Sequence, residues 1–262
     1  MLDVPEPTTP IGAPCWIDLI SSEPARAAAF YTALFGWTAD TGGDPELGEY
    51  TMLRKDEKAI AGLSAQQEGN PYGNVWTVYM STPDAAASAD KAAAAGGTVL
   101  LPPVRVPGMG TLAMIGDPAG AVAGLWQAEQ HRGFELADEP GTPVWFETMS
   151  RNYSAALQFY TEVFGWNCTP LSDTEEFRYS QARVDDRVVA GVMDTDRVFP
   201  DGVPSFWQLY LGVADTDAAC ERVVALGGQV LRPAEDSPFG RLAHVADPMG
   251  ATFRITTLVE QS

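Results

Sequence analysis

Two periods of hydrophobicity take turns along this chain, and the order in which they do so repeats. Residues 16–20 and 145–149 are short apolar-rich runs of strand length. Each precedes a stretch whose apolar residues recur at helical spacing: Ala29, Phe30, Ala33 and Leu34 in one case, Phe159, Val163 and Phe164 in the other. Ser22 and Asn152 stand where a helix N-cap belongs. Gly36 and Gly165 follow the last turn, where a residue with positive φ ends a helix. Further strands form hairpins that turn at residues 55–58 and 185–187. A second strand–helix unit begins at residues 75–80 and 206–211. Its helix opens near Thr82-Pro83-Asp84, where Pro fits the first turn, or near Asp215. It closes at Gly96-Gly97 or Gly227-Gly228, and the final strands are joined at Asp117-Pro118 and Asp247-Pro248. The pattern predicts an α+β fold of four βαβββ modules, helices covering one face of curved, mostly antiparallel sheets.

The repetition is a duplication. "FYTALFGW" begins at Phe30 and "FYTEVFGW" at Phe159, with six of eight residues the same. "PCWIDLISSEPARAAAFYTALFGW" matches "PVWFETMSRNYSAALQFYTEVFGW", and "IGDPAGA" matches "VADPMGA". The offset stays between 129 and 131 throughout. Two homologous domains are therefore expected at residues 12–127 and 141–257. The charged segment 128–140 between them, with its Gly and Pro, reads as a linker.

A strand, a helix ending in "FYTxxFGW", a second helix ending in "GG" and a late "DPxG" turn, in that order and twice over, resemble the vicinal oxygen chelate superfamily. That group contains glyoxalase I, extradiol dioxygenases and bleomycin-resistance proteins, and the tandem form resembles glyoxalase-like proteins of actinobacteria. The resemblance implies two tandem glyoxalase-like domains. Each pairs βαβββ modules whose curved sheets form a cleft. In metal-dependent members His and Glu project into that cleft from the first and last strands, and the metal keeps open positions for substrate oxygens.

The motifs serve as rulers for finding the corresponding positions. The first-strand ligand of the family lies fourteen residues before the Phe of "FY", which gives Trp16 and Trp145. The ligand ending the first module falls near Gly62 or Gly191, and the second-module strand ligand near Thr77 or Gln208. The last-strand Glu lies seven after the Asp of "DP", which gives Gly124 and Arg254. None of these is a His or a carboxylate, so no metal and no other cofactor is expected. The two histidines, His131 in the linker and His244 on a strand where the other half has Met114, are not placed to complete a metal triad in one cleft.

If the family's ligand column faces the cleft, strand alternation puts Trp16 with Asp18, and Trp145 with Glu147, on that face. Trp126, Tyr79 and Tyr210 share faces with Gly124, Thr77 and Gln208. The expected ligand-binding set is Trp16, Asp18, Thr77, Tyr79, Trp126, Trp145, Glu147, Gln208, Tyr210 and Arg254. Trp and Tyr supply rigid apolar area with one polar handle, which suits a planar organic ligand, aromatic or cationic, with Asp18 or Glu147 pairing to an amine. For Trp16 and Trp145, core packing is an equal reading. Trp37 and Trp166, just past the helix caps, are expected to pack, and Asp117 and Asp247 to form turns. Arg254 is expected either to pair with Glu147 or to be solvated. His244 is read as a satisfied strand histidine or an acid–base group.

Composition narrows the class of function. The formal net charge is −19 with only 16 Lys+Arg, so a phosphate backbone would be repelled and nucleic-acid binding is excluded. No apolar run approaches the roughly 20 residues of a membrane span, and the acidic, Pro-rich start lacks the features of a signal peptide. Three cysteines without metal-type spacing fit reduced thiols in a cytoplasm. The leading expectation is metal-independent binding of a small planar molecule, for sequestration, resistance or an accessory role in a biosynthetic pathway, by a monomer or homodimer. The alternatives are a metal-free lyase, isomerase or cyclase using Asp18 or Glu147 as general base, with His244 as a third catalytic candidate, and an interaction module with no small ligand.

Overall fold

The computed structural model describes residues 9–42, 49–69, 73–196 and 198–258. The acidic start and most of the Gly-rich stretch at 42–50 lie outside them. The four expected modules are all present. The first is β1 (Pro14–Ser21), α1 (Pro24–Phe35), β2 (Thr38–Gly42), β3 (Tyr50–Lys55) and β4 (Lys58–Ala65). The second is β5 (Val75–Ser81), α2 (Ala85–Ala94), β6 (Thr98–Val106), β7 (Gly110–Gly116) and β8 (Val122–Ala128). The second half repeats them as β9 (Pro143–Ser150), α3 (Tyr153–Phe164), β10 (Asn167–Asp173), β11 (Arg178–Val184) and β12 (Arg187–Asp194), then β13 (Phe206–Val213), α4 (Thr216–Ala225), β14 (Gln229–Ser237), β15 (Gly240–Ala246) and β16 (Thr252–Thr257).

Each half forms one open, mixed eight-stranded sheet, in the orders β2-β3-β4-β1-β5-β8-β7-β6 and β10-β11-β12-β9-β13-β16-β15-β14. The pairs β1·β4, β5·β8, β9·β12 and β13·β16 are parallel, and the hairpins are antiparallel. Register shifts at Leu53/Arg54, Val99/Leu101, Ala182/Arg183 and Val230/Arg232 bend the hairpin strands, as bulges do. No described helix is long and apolar enough to cross a membrane.

Local sequence explains the helix ends, with two corrections. Asn152 caps α3 as expected, its side chain accepting from Ala155 N at 3.2 Å. Ser22 does not cap α1. The N-cap there is Glu23, which makes no side-chain cap, and the Ser22 hydroxyl donates to Asn74 Oδ1. Pro24 in the first turn removes one of the unpaired N–H groups of the helix start. Pro83 precedes the cap of α2, which is Asp84, rather than entering its first turn. Gly36 and Gly165 both end their helices at φ 72°.

Close packing groups the chain differently from the sheets. One compact unit contains the chain up to Trp16, Val78–Gly133 and Phe146–Trp207; the other contains Ile17–Thr77, Phe134–Trp145 and the chain from Gln208 onward. In the first, α2 packs on α3. Gly97 makes this approach possible, since a Cβ there would lie 2.7 Å from the Phe159 ring. Tyr160 is fully buried; its hydroxyl donates to Asp117 Oδ2 (3.2 Å) and accepts from Trp207 Nε1 (3.0 Å). Asp117 Oδ1 in turn holds the N–H groups of Ala119 and Ala121. Trp166 stacks on Tyr160 and donates to Gly12 O at 2.7 Å.

The second unit repeats the arrangement with the halves exchanged. There α1 packs on α4, and Phe30 faces Gly228. Tyr31 donates to Asp247 Oδ2 (3.2 Å) and accepts from Trp76 Nε1 (2.9 Å), while Trp37 stacks on Tyr31 and donates to Gly141 O (2.6 Å). The repeated octapeptide is therefore a connector. Its Phe meets the "GG" of the other half, its Tyr the Asp of the other half's "DP" turn, and its Trp a backbone carbonyl. Trp37 and Trp166 pack as expected, at 3% and 1% exposure. Asp117 and Asp247 form their turns and, beyond that expectation, receive the tyrosines. Burial raises both carboxyls above their usual range, against the pull of the backbone donors.

Candidate functional site

The first strands alternate as predicted. In β1 Cys15, Ile17 and Leu19 are fully buried, whereas on the other face Asp18 and Ile20 are half-buried and Trp16 is 3% exposed. In β9 the corresponding face carries half-buried Trp145, Glu147 at 4% exposure and fully buried Met149.

At three of the four module ends the position expected from the sequence to match a family ligand is a glycine, and a tyrosine occupies the space above it. In module one Asp18 stands opposite Gly62 in parallel register, and the Tyr50 hydroxyl donates to Asp18 Oδ1 at 2.6 Å. A Cβ on Gly62 would overlap both the Tyr50 hydroxyl and that carboxylate oxygen. In module three Glu147 stands opposite Gly191, and a Cβ there would overlap the Tyr179 hydroxyl. In module two Tyr79 stands opposite Gly124 and lays its ring over it. Thr77, two residues before Tyr79 on the same strand, is buried.

Next to that last pair the first unit gathers three rings. Trp126, two residues past Gly124, donates from Nε1 to His131 O at 2.7 Å. The His131 ring lies 5.5 Å from Trp126 and meets Trp16 edge-on at 4.3 Å. Gly133, at φ 98°, brings this segment against β1: a Cβ there would overlap Cys15 O. His131 lies in the segment that the sequence marks as a linker. The structure places it among the predicted tryptophans, and nothing in the local sequence marked it.

The fourth module differs. Tyr210 on β13 is opposite Arg254 on β16, Arg254 is opposite His244 on β15, and His244 is opposite Arg232 on β14. These four side chains form one row across the sheet. Arg254 Nη1 donates to the Tyr210 hydroxyl at 2.7 Å, and its guanidinium lies 5.3 Å from the Tyr210 ring centroid. Gln208, on the same face of β13 as Tyr210, is 2% exposed. Its Nε2 donates to Leu209 O, and its Oε1 has no partner among the described residues. The buried His244 Nε2 also has none. The reading of His244 as a satisfied strand histidine is thus corrected. Burial first, then Arg254 and Arg232, lower its pKa to about 4, so the imidazole is neutral at physiological pH.

Metal-dependent chemistry of the family needs a donor set that these positions do not offer. Gly62, Gly124 and Gly191 have no side chain, and the tyrosines fill the space that a ligand side chain would cross. Arg254 is a cation. Among the described residues no three of His, Cys, Asp and Glu are grouped to hold a metal ion. A surface notch of about 360 Å³ around Arg178, rimmed by Asp173, Asp194 and Asp196, includes none of the predicted site residues.

Known proteins resemble this chain over both halves. The sequence pattern of the Glyoxalase/Bleomycin resistance protein/Dioxygenase superfamily matches residues 15–125 and 142–255. The chain is 36% identical over 264 residues to the anthracycline biosynthesis protein DnrV of Streptomyces peucetius, spanning 95% of this chain and 94% of that one. It is 35% identical over 248 residues to the putative glyoxylase CFP32 of Mycobacterium tuberculosis (strain CDC 1551 / Oshkosh), spanning 93% and 94%. Among solved structures, the Mn(II)-bound glyoxalase from Novosphingobium aromaticivorans is similar in fold, with a TM-score of 0.65 at 15% identity over 94% of this chain and 82% of that one.

Proposed function

We propose that this chain, which belongs to the Glyoxalase/Bleomycin resistance protein/Dioxygenase superfamily, binds a small planar organic molecule without a metal, as an accessory to a biosynthetic pathway in the cytoplasm. The observation that carries the reading is the replacement of the family's ligand positions by Gly62, Gly124, Gly191 and Arg254, with Tyr50, Tyr79, Tyr179 and Tyr210 against them. A surface that exchanges metal ligands for phenol and indole gives up Lewis-acid chemistry. It gains flat area with oriented O–H and N–H groups. The relationship to DnrV, whose name assigns that protein to anthracycline biosynthesis, supports polycyclic aromatic compounds as the first ligands to try.

The test is quenching of intrinsic tryptophan fluorescence by anthraquinone and other planar probes, with metal analysis of the same preparation. Saturable binding that weakens in Trp16→Ala or Trp145→Ala and survives chelation supports the proposal. Unchanged binding in both variants, or stoichiometric Mn, Fe, Ni or Zn, overturns it.

A second reading, a metal-free lyase, isomerase or cyclase, draws support from one feature. Asp18 and Tyr50 share a 2.6 Å hydrogen bond on the half-buried face of β1, a pair able to take and return a proton. It requires that Asp18→Asn lose turnover of a bound compound while retaining its affinity.

A further inference from the structure

We propose that the second half recognises an ionised oxygen on its ligand. The row Tyr210–Arg254–His244, with Gln208 beside it, would receive the carboxylate or acidic phenolate edge of a planar aromatic compound. This inference rests on the binding function proposed above and narrows it from planar molecules in general to aromatic acids.

The two halves of the duplication differ at this row. In the first half the same four register positions are held by Tyr79, Gly124, Met114 and Leu101. In the second they are held by Tyr210, Arg254, His244 and Arg232. Backbone, register and the leading tyrosine are common to both rows. Three apolar or absent side chains in one row are replaced by two cations and an imidazole in the other. The change runs against the composition of the chain, which has 16 Lys+Arg against 35 Asp+Glu.

The details fit an oxyanion with a neighbouring donor. Arg254 presents a planar fork of N–H donors, the geometry that matches a carboxylate or a pair of adjacent oxygens. Its Nη1 bond to the Tyr210 hydroxyl and its approach to the Tyr210 ring fix the orientation of that fork. Gln208 Oε1 is an acceptor inside a side chain that is 2% exposed, with no donor among the described residues. A buried acceptor of that kind costs free energy until a donor arrives. A hydroxyl next to the ionised oxygen of the ligand would supply one. His244 Nε2 is likewise buried without a partner. The imidazole stays neutral beside two arginines, so it can hydrogen-bond the ligand without adding a third positive charge. An amine ligand, the other chemistry expected from the sequence, would meet like charge at this row.

The experiment compares binding of anthraquinone-2-carboxylate, its methyl ester and 1,2-dihydroxyanthraquinone to the parent and to Arg254→Gly, Arg254→Lys and His244→Met. Arg254→Gly and His244→Met install the residues that the first half carries at Gly124 and Met114. Thermal unfolding of each variant checks that it is folded, and Arg254→Lys keeps the charge should the glycine variant not fold. Losing a charge-assisted pair should weaken the anionic probe by about tenfold or more. The parent should bind the carboxylate at least that much more tightly than the ester, and the preference should vanish in Arg254→Gly and shrink in Arg254→Lys. The dihydroxy probe reports whether phenolate as well as carboxylate is accepted, by the same loss above its first pKa. Equal binding of acid and ester by the parent, or an acid preference that survives Arg254→Gly, overturns the inference and leaves planar-ligand binding intact. Failure of the parent to bind any of the three overturns both.

Discussion

Replacing Tyr31 by Phe removes one oxygen atom from a side chain that is fully buried. That oxygen accepts from Trp76 Nε1 at 2.9 Å and donates to Asp247 Oδ2 at 3.2 Å. The ring packing survives, but an indole N–H and a carboxylate oxygen lose their shared partner, and Asp247 is only 2% exposed. Each polar group stranded in this way costs about 1–3 kcal/mol, so the variant should lose roughly 2–4 kcal/mol. For a chain of this size that is a fall of roughly 5–12 °C in midpoint temperature. The loss should depend on pH. Burial raises the Asp247 pKa, and the Tyr31 hydrogen bond is one of the effects opposing that rise. Without it the folded-state pKa climbs further. A carboxyl whose folded pKa exceeds its unfolded value loses stability as pH rises through that interval. The deficit of Tyr31→Phe relative to the parent should therefore be largest at neutral pH and shrink toward pH 4. Urea unfolding followed by tryptophan fluorescence at several pH values measures both effects. A variant within 0.5 kcal/mol of the parent at pH 7, or a deficit that grows on acidification, would refute the assigned role of this network. Tyr160→Phe, which strands Trp207 and Asp117 in the same geometry, should cost a similar amount.

Other expectations can be checked in parallel. Gly124→Ala should destabilise by about 1–3 kcal/mol, because the new Cβ overlaps the Tyr79 ring; an unfolding midpoint equal to the parent's would show that the ring is not held there. Asn152→Ala should cost about 1 kcal/mol as a lost N-cap, and Glu23→Ala should cost under ~0.5 kcal/mol because Glu23 makes no such bond. Equal losses in a side-by-side denaturant titration would contradict the capping assignment. By NMR the His244 imidazole should titrate with a midpoint of about 4. Its folded pKa lies below the unfolded value, so the unfolded chain takes up the proton first and stability falls as pH drops from 6.5 toward 4. His244→Met should flatten that slope, and a midpoint near 6.5 would show the ring to be solvated.

Why some of this was legible in the sequence and some was not follows from the physics of each feature. The modules follow from local signals: period, cap and Gly punctuation act within a few residues, so the strand–helix order and both hairpin turns could be placed. Cap chemistry failed at Ser22 because its hydroxyl bonds Asn74, 52 residues away, a partner that no local signal reveals. The counting rule, run back from Phe30 and Phe159, located Trp16 and Trp145, and run on from Asp117 and Asp247 it located Gly124 and Arg254, because each motif lies close in sequence to the position it marks. What the rule could not give is what lies over a glycine. Tyr50, Tyr79 and Tyr179 reach their glycines across strands, and only register supplies that information. The partners of Tyr31 and Tyr160 lie in the other half of the duplication, 216 and 43 residues away, and Asp247 and Asp117 look like ordinary turn residues in one dimension. His131 escaped for a similar reason, since a charged connecting segment carries no sign that it returns to β1. The Arg254–His244 adjacency was implicit in the two halves' difference, yet it became a row only once β15 and β16 were paired.

The exchange of partners between halves also sets a timetable for synthesis. The unit built on Tyr160 and Asp117 draws its last segment from Phe146–Trp207 and has all its parts once that stretch has left the ribosome. The unit built on Tyr31 and Asp247 contains the chain from Ile17 to Thr77, yet it stays incomplete until residues beyond Asp247 emerge. Phe30 and Tyr31 must wait, apolar and unpaired, through most of translation. A contact that closes over 216 residues carries a larger loop-closure cost than a local one. The first helix is thus made early, yet it cannot pack on its partner α4 until the end of the chain has been synthesised.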